Sequence, residues 1–300
     1  MSNFAAVAVI AASALLTPSL TTTGASAAAA PLPTVTTEAA SIAFGDFTFP
    51  VDAGKSVTLR RYILDPGEVV DWDAEEGTVL ALVQAGRMSN YLGCSRAQLW
   101  RAPVGYYMPR SLAAETIGGV TVNDGAERAE IVAVVSGAVG AVQRDDQKHR
   151  HGTQEVDPPR AVEACPTGAA AEVQDLAEAR MSTGAAFDQV DHDQIALYRY
   201  RLAPGSSSGW HHLPDPGFIV QAAGSTTVRT GCEETATYEP GGAYVHDARD
   251  RPQLITNPGT EAAEYYVVAF QVPSTHPADV PRMTPAVPPS NCPESALTAG

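Results

Sequence analysis

Two stretches decide the fold: 59-LRRYILDPGEVVDWDAEEG-77 and 197-LYRYRLAPGSSSGWHHLPD-215. Laid over each other they match without a gap at Leu59/Leu197, Arg61/Arg199, Tyr62/Tyr200, Pro66/Pro204, Gly67/Gly205 and Trp72/Trp210. The same offset carries Gly86 onto Gly224 and Gly93-Cys94 onto Gly231-Cys232. Pro103/Pro240, Gly105/Gly242 and Tyr107/Tyr244 then keep step after one residue is lost. The stretch 123-NDGAERAEIVAVV-135 falls on 257-NPGTEAAEYYVVA-269 after further losses. Self-similarity over a span this long indicates an internal duplication.

Each repeat is built from short alternating or apolar runs punctuated by turn residues. Val57 to Leu64 and Ile195 to Leu202 alternate and end at Pro-Gly; Thr78 to Val83 and Phe218 to Ala222 follow; Ala129 to Val135 and Ala263 to Val272 close the unit. Runs of this length and spacing predict antiparallel strands in a sandwich or double-sheet jelly roll. Helix formers concentrate in 169-AAAEVQDLAEAR-180, which predicts a short helix in the connection between the repeats.

Composition fixes the setting. The chain has 300 residues, 44% of them hydrophobic and 18% charged, enough to bury a sizeable core. Thirty-four acidic residues against nineteen basic ones give a net charge of −15, and no Lys/Arg cluster offers a phosphate footprint. This argues against a nucleic-acid partner. At the start, MSNFAAVAVIAASALL is apolar from Phe4 to Leu16, too short to span a bilayer, and leads to Ala25-Ser26-Ala27. This is the plan of a cleaved signal peptide over 1–27, although no Lys or Arg precedes the apolar run. Elsewhere no run approaches eighteen apolar residues, so no membrane span is expected in the mature chain, which is expected to be secreted.

Four cysteines fit an oxidising compartment. The pairing that respects the repeat is Cys94 with Cys165 and Cys232 with Cys292. Each bond closes a loop of roughly 60 to 70 residues, for which chain entropy assigns about 4 kcal/mol. The expected organisation is an N-terminal barrel over 42–142, a linker with the short helix and Cys165 over 143–180, a C-terminal barrel over 181–273, and a Pro-rich tail with Cys292 over 274–300. His149 and His151 fall in the polar linker and are expected to be solvated.

In the second repeat, Pro204-Gly205, Trp210-His211, the apolar strand after them, Pro240-Gly241-Gly242 and Asn257-Pro258-Gly259 resemble the cupin family, specifically small bacterial cupins with a W-H-x-H-P signature. Both repeats fit, so the chain resembles a bicupin over roughly residues 42–292. The resemblance implies two antiparallel jelly-roll barrels in tandem. It also implies a metal held by an H-x-H pair, a following Glu, and a His four residues before an Asn.

That ligand set is largely gone. His211 stands at the first position, but Leu213 stands at the second, and His212 should point to the opposite face of a strand. No carboxylate lies at Gly217 or Phe218, and Gln253 replaces the last His. One imidazole does not hold a transition metal, which normally takes three protein ligands. In the first repeat Asp73 and Glu75 occupy the H-x-H positions and Gly119 the last one. Two carboxylates on one face are too few for a hard cation, and a wet rim is the plainer reading. Arg61 and Arg199 are candidate anion clamps, or simply exposed strand residues.

The expectation is therefore an exported bicupin without catalytic metal or other cofactor, binding a small organic ligand or acting as a scaffold. Its candidate pocket is Trp210, His211, Tyr244, His246 and Gln253, with Asp73 and Glu75 in the other repeat. One alternative is a dioxygenase- or isomerase-type enzyme with one divalent metal in the C-terminal barrel, on His211 with His212 or His246. The other is a structural module that binds a protein.

Overall fold

A computed structural model describes residues 33–72, 77–92, 96–108, 119–137, 166–232, 234–246, 251–273, 275 and 284–288. The first half contributes β1 (Thr34–Ala43), β2 (Phe47–Val51), β3 (Ser56–Leu64), β4 (Val69–Asp71), β5 (Thr78–Ala85), β6 (Arg87–Leu92), β7 (Arg96–Arg101), β8 (Val104–Met108), β9 (Gly119–Val122) and β10 (Ala129–Ser136). The second contributes β11 (Glu172–Met181), β12 (Ala185–Gln189), β13 (Gln194–Leu202), β14 (His211–His212), β15 (Gly217–Ala223), β16 (Thr226–Thr230), β17 (Glu234–Tyr238), β18 (Gly242–His246), β19 (Gln253–Thr256), β20 (Ala263–Val272) and β21 (Thr284–Pro285). The all-β, antiparallel class is as expected. Among the described residues no helix is long and apolar enough to cross a membrane.

Ten strands close into one barrel in the order β1-β13-β20-β15-β18-β11-β3-β10-β5-β8. Four consecutive strands come from each half, and the first strand of each repeat stitches it to the other. β1 runs antiparallel on β13 and parallel on β8, while β11 runs antiparallel on β3 and parallel on β18. The halves are thus interlocked through one shared ring. A four-stranded sheet (β4-β9-β6-β7) covers the outer face of the first half. A five-stranded one (β17-β16-β19-β14-β21) covers the second, and β2 pairs with β12 across the repeats.

The helix expected over 169–180 is a correction. Residues 172–181 form β11, in which Ala177, Ala179 and Met181 alternate inward with exposed neighbours. Arg60 reaches Asp175 at 2.9 Å across the pair. The edge of β3 supplies a full ladder of backbone partners, which outweighs the small intrinsic helix preference of Ala, Glu and Leu.

Strands β5 and β10 read as continuous apolar runs because both of their faces are covered. Leu59, Leu82, Val134, Leu197, Phe218, Val268 and Phe270 point into the ring and form the shared core with Phe49 and Phe187. The alternate residues, such as Tyr62 and Ile131 or Tyr200 and Tyr265, pack outward against the small sheets.

The two halves repeat in detail. Asn123 Nδ2 donates to the carbonyls of Leu64 (2.9 Å) and Glu127 (2.8 Å), and Asn257 Nδ2 donates to those of Leu202 (3.1 Å) and Glu261 (2.7 Å). Gly86 and Gly224 both have positive φ. A Cβ at Gly86 would lie 2.7 Å from Ala129 and one at Gly224 2.8 Å from the Ala262 carbonyl oxygen, so glycine is required twice. The strand registers also revise the repeat alignment. Met108 faces Val79 as His246 faces Gly217, and Tyr106 faces Ala81 as Tyr244 faces Ile219. Tyr106, not Tyr107, is therefore the counterpart of Tyr244, and every lost residue falls between β8 and β9.

Arg61 and Arg199 are neither free clamps nor idle surface residues. A bulge on β1 between Thr37 and Ala39 turns Glu38 inward, where Arg61 Nη2 donates to Oε2 at 2.6 Å. Arg199 Nε lies 2.9 Å from Oε1. Arg61 Nε also approaches Glu130 at 3.0 Å, the latter two being charge contacts without hydrogen-bond alignment. On β11 the matching bulge holds Leu176. One carboxylate thus joins arginines from both repeats. Glu38→Leu is expected to cost about 1–2 kcal/mol in urea unfolding, between the values for buried and surface pairs because the arginines are partly solvated. An unchanged midpoint would show that solvent already screens them.

Candidate functional site

The outer cores of the two halves differ in what fills them. In the first, Trp100 stacks on Tyr106 with ring centres 4.5 Å apart, and Trp72 meets Tyr62 edge-on at 5.3 Å. The Trp72 Nε1–H donates to Thr121 Oγ1 at 2.6 Å, and that hydroxyl donates to Asn90 Oδ1 at 2.8 Å. Two indoles pack this interior. Asp73 and Glu75 lie outside the described residues.

In the second half more polar groups occupy the same places. Tyr238 replaces Trp100 and stacks on Tyr244 at 4.1 Å; Tyr200 stacks on Tyr265, which replaces Ile131, at 5.1 Å. Trp210, unlike Trp72, is half-buried and outside the core cluster. His246 stands where the first half has Met108, and Gln253 where it has Gly119. Of the candidate pocket, His211, Tyr244, His246 and Gln253 are all buried in this one region, and Trp210 stays at its edge.

Strand alternation explains the orientation of the 211–213 segment. His211 and Leu213 are buried, while His212 between them is more exposed. His211 pairs with Gln253 across β14 and β19, on the other side of which Thr284 and Pro285 of β21 extend the sheet. Its Nδ1 lies 2.9 Å from the Gly209 carbonyl oxygen and 3.1 Å from Ser208 Oγ. A carbonyl only accepts, so Nδ1 carries the proton and Nε2 presents a lone pair, buried and without a partner. Ser208 Oγ is itself fixed by accepting from the Ile255 N–H at 3.0 Å.

Burial sets the protonation states. Desolvation pushes the His211 pKa down, opposed by the Gly209 carbonyl and aided by His212. His246 is driven to about 4 by burial and then by neighbouring His211, with the Leu213 backbone and Gln253 acting the other way. Both imidazoles are neutral at pH 7. The Tyr200, Tyr244 and Tyr265 phenols are held above their ordinary value, chiefly by desolvation, and stay protonated. Their hydroxyls, both His246 ring nitrogens and Gln253 Oε1 have no aligned hydrogen-bond partner. Gln253 Nε2 donates to Thr230 Oγ1 at 3.2 Å, which leaves Oε1 as a directed acceptor. Beside this cluster Tyr198, Tyr200, Leu213, Asp215, Val267 and Ala269 line a cavity of about 10 Å³, space for one water-sized group.

As a metal site the arrangement is incomplete. His211 Nε2, a His246 nitrogen and the Gln253 amide oxygen are two neutral imidazoles and a weak donor. No group of three or more His, Cys, Asp or Glu that could hold an ion occurs among the described residues. A cupin-type ligand set does not fit here.

Tyr200, Tyr265, Ser208 and Asp215 escaped the sequence reading. The exchange of Ile131 for Tyr265 in the repeat alignment was the signal that an apolar wall had become polar. Cys232 is disulfide-bonded; the other three cysteines, like His149 and His151, lie outside the described residues.

No family model and no curated protein matches this chain. Solved structures do. A sugar phosphate isomerase of the cupin superfamily from Silicibacter pomeroyi is 21% identical, over 26% of this chain and 52% of that one, with a TM-score of 0.24. An RmlC-like cupin with a double-stranded β-helix fold from Methanocaldococcus jannaschii is 18% identical, over 26% and 70%, with a TM-score of 0.24. An oxalate oxidase in complex with the substrate analogue glycolate is 20% identical, over 26% and 43%, with a TM-score of 0.24. This chain spans about half the length of the isomerase and less of the oxidase. These structures to which the chain is similar include named cupins, the family that its two sequence repeats also resemble.

Proposed function

We propose that this chain is an exported, duplicated cupin that binds a small organic ligand in its second half and carries out no metal chemistry there. The observation behind this reading is the contrast between the two interiors. The first is packed by indoles; the second holds buried phenols, His211 Nε2, the His246 ring and an amide oxygen without aligned hydrogen-bond partners. Buried polar groups are nearly always hydrogen-bonded, so such a concentration is suited to a ligand that completes the bonds. The first half then serves as scaffold. Ala25-Ser26-Ala27 supports export with cleavage after Ala27, and the repeat supports Cys94–Cys165 and Cys232–Cys292 bonds.

Elemental analysis of the secreted protein, with a thermal-shift screen of small organic compounds, tests the reading. The expected result is no stoichiometric metal, together with a stabilising compound whose effect is lost in His246→Met. One equivalent of tightly held iron, manganese, nickel or zinc, lost in His211→Ala, would overturn it. A metal-dependent cupin enzyme is the second reading, motivated by the directed lone pair on His211 Nε2.

A further inference from the structure

The polar atoms of the second interior are not evenly divided between donors and acceptors. His211 Nε2 is a pure acceptor, because the Gly209 carbonyl fixes the proton on Nδ1. Gln253 Oε1, which faces His246 without an aligned hydrogen bond, is a second, because the amide nitrogen donates to Thr230. The two residues are direct cross-strand partners, which places their side chains roughly 5 Å apart at Cβ, the spacing of two adjacent ligand groups. One nitrogen of neutral His246 adds a third acceptor. No Lys or Arg is among the described buried residues, so nothing inside compensates an anion, whose burial without a partner is costly. The phenols of Tyr200, Tyr244 and Tyr265 accept or donate as required.

Resting on the small-ligand reading of this site, we infer that it recognises a compact, uncharged compound with neighbouring hydroxyl groups. These donate to His211 Nε2 and Gln253 Oε1, and the site rejects a carboxylate of the same size. Ser208 and Gly209 are the positioning residues, since they hold the His211 tautomer that makes the acceptor.

Nitrogen-15 NMR of the full chain at pH 7 tests this with two probes of matched size, propane-1,2-diol and propionate. The free protein is expected to show His211 protonated at Nδ1 and bare at Nε2; the opposite tautomer overturns the inference. Diol should move the Nε2 resonance saturably, and propionate should leave it in place. Gln253→Leu, folded by circular dichroism, should weaken the diol effect by about tenfold or more, the worth of one buried hydrogen bond to a polar partner. An unchanged response in that variant removes Gln253 from the site and overturns the pairing. If propionate shifts the resonance and the diol does not, the ligand class is wrong while the binding site stands. If neither probe perturbs any residue of the second half, the inference fails. If a broad screen of small organic compounds also finds nothing, the binding reading falls with it.

Discussion

Acidification from pH 7 to pH 4 is expected to remove about 3 kcal/mol of stability through His246. In the unfolded chain this imidazole takes up a proton near 6.5; in the folded protein it does so only near 4. Between those values the unfolded state binds more protons, so stability falls as the pH falls through the window and levels off below about 4. The shift between the two values sets the size of the loss. His211, lowered by the same burial, adds in the same direction.

Carboxylates elsewhere also titrate in this range, so the informative quantity is a difference between proteins. His246→Met installs the residue that the first half carries at Met108, where it is buried in an aromatic core. The variant should match the parent to within about 1 kcal/mol at pH 7, because exchanging neutral imidazole for thioether removes two buried nitrogens that lack aligned hydrogen-bond partners. At pH 4 it should be the more stable protein. Urea midpoints at pH 7, 5.5 and 4 decide this, and parallel pH profiles for the two proteins would refute it.

The parts of the fold legible in the sequence were those written in local chemistry. Pro66-Gly67 and Pro204-Gly205, the two buried asparagines and the paired strands around them all declare the repeat, because each turn or clasp is specified within its own half. The partner of β11 belongs to the other half, so nothing in 169-AAAEVQDLAEAR-180 announces the ladder that makes it a strand. The same non-locality hid the shared ring: strands β1 and β11 exchange partners, and exchange leaves no periodicity to read. At the site, the histidine motif led to His211, His246 and Gln253. The failure at Leu213 was also legible, since alternation along a strand dictates it. Tyrosines were harder to place. Tyr198 and Tyr200 lie two apart on β13 and share its outward face in the core of the second half, whereas Tyr266 on β20 turns to the shared core beside Tyr265, which does not. Only the register distinguishes such neighbours.

Interlocking has a consequence for unfolding, and Phe270→Ala is expected to show it with a loss of about 3–5 kcal/mol. Phe270 is fully buried where the halves meet. It stacks on Phe187 with ring centres 4.9 Å apart and lies 5.7 Å from Phe49 and 6.3 Å from Phe218. Those partners come from β12, β2 and β15, and thus from both repeats. Truncation to alanine leaves a cavity that close-packed neighbours on every side cannot collapse to fill. Two barrels that folded independently would respond separately, with one calorimetric transition displaced and the other unmoved. A shared ring with exchanged first strands has no such option, because β1 cannot leave β13 without opening the first half, nor β11 leave β3 without opening the second. Scanning calorimetry should therefore show a single transition in the parent and a single transition in Phe270→Ala, lowered by roughly 10 °C for a chain of this size. Two separated transitions in either protein would mean that the halves unfold independently despite the exchanged strands.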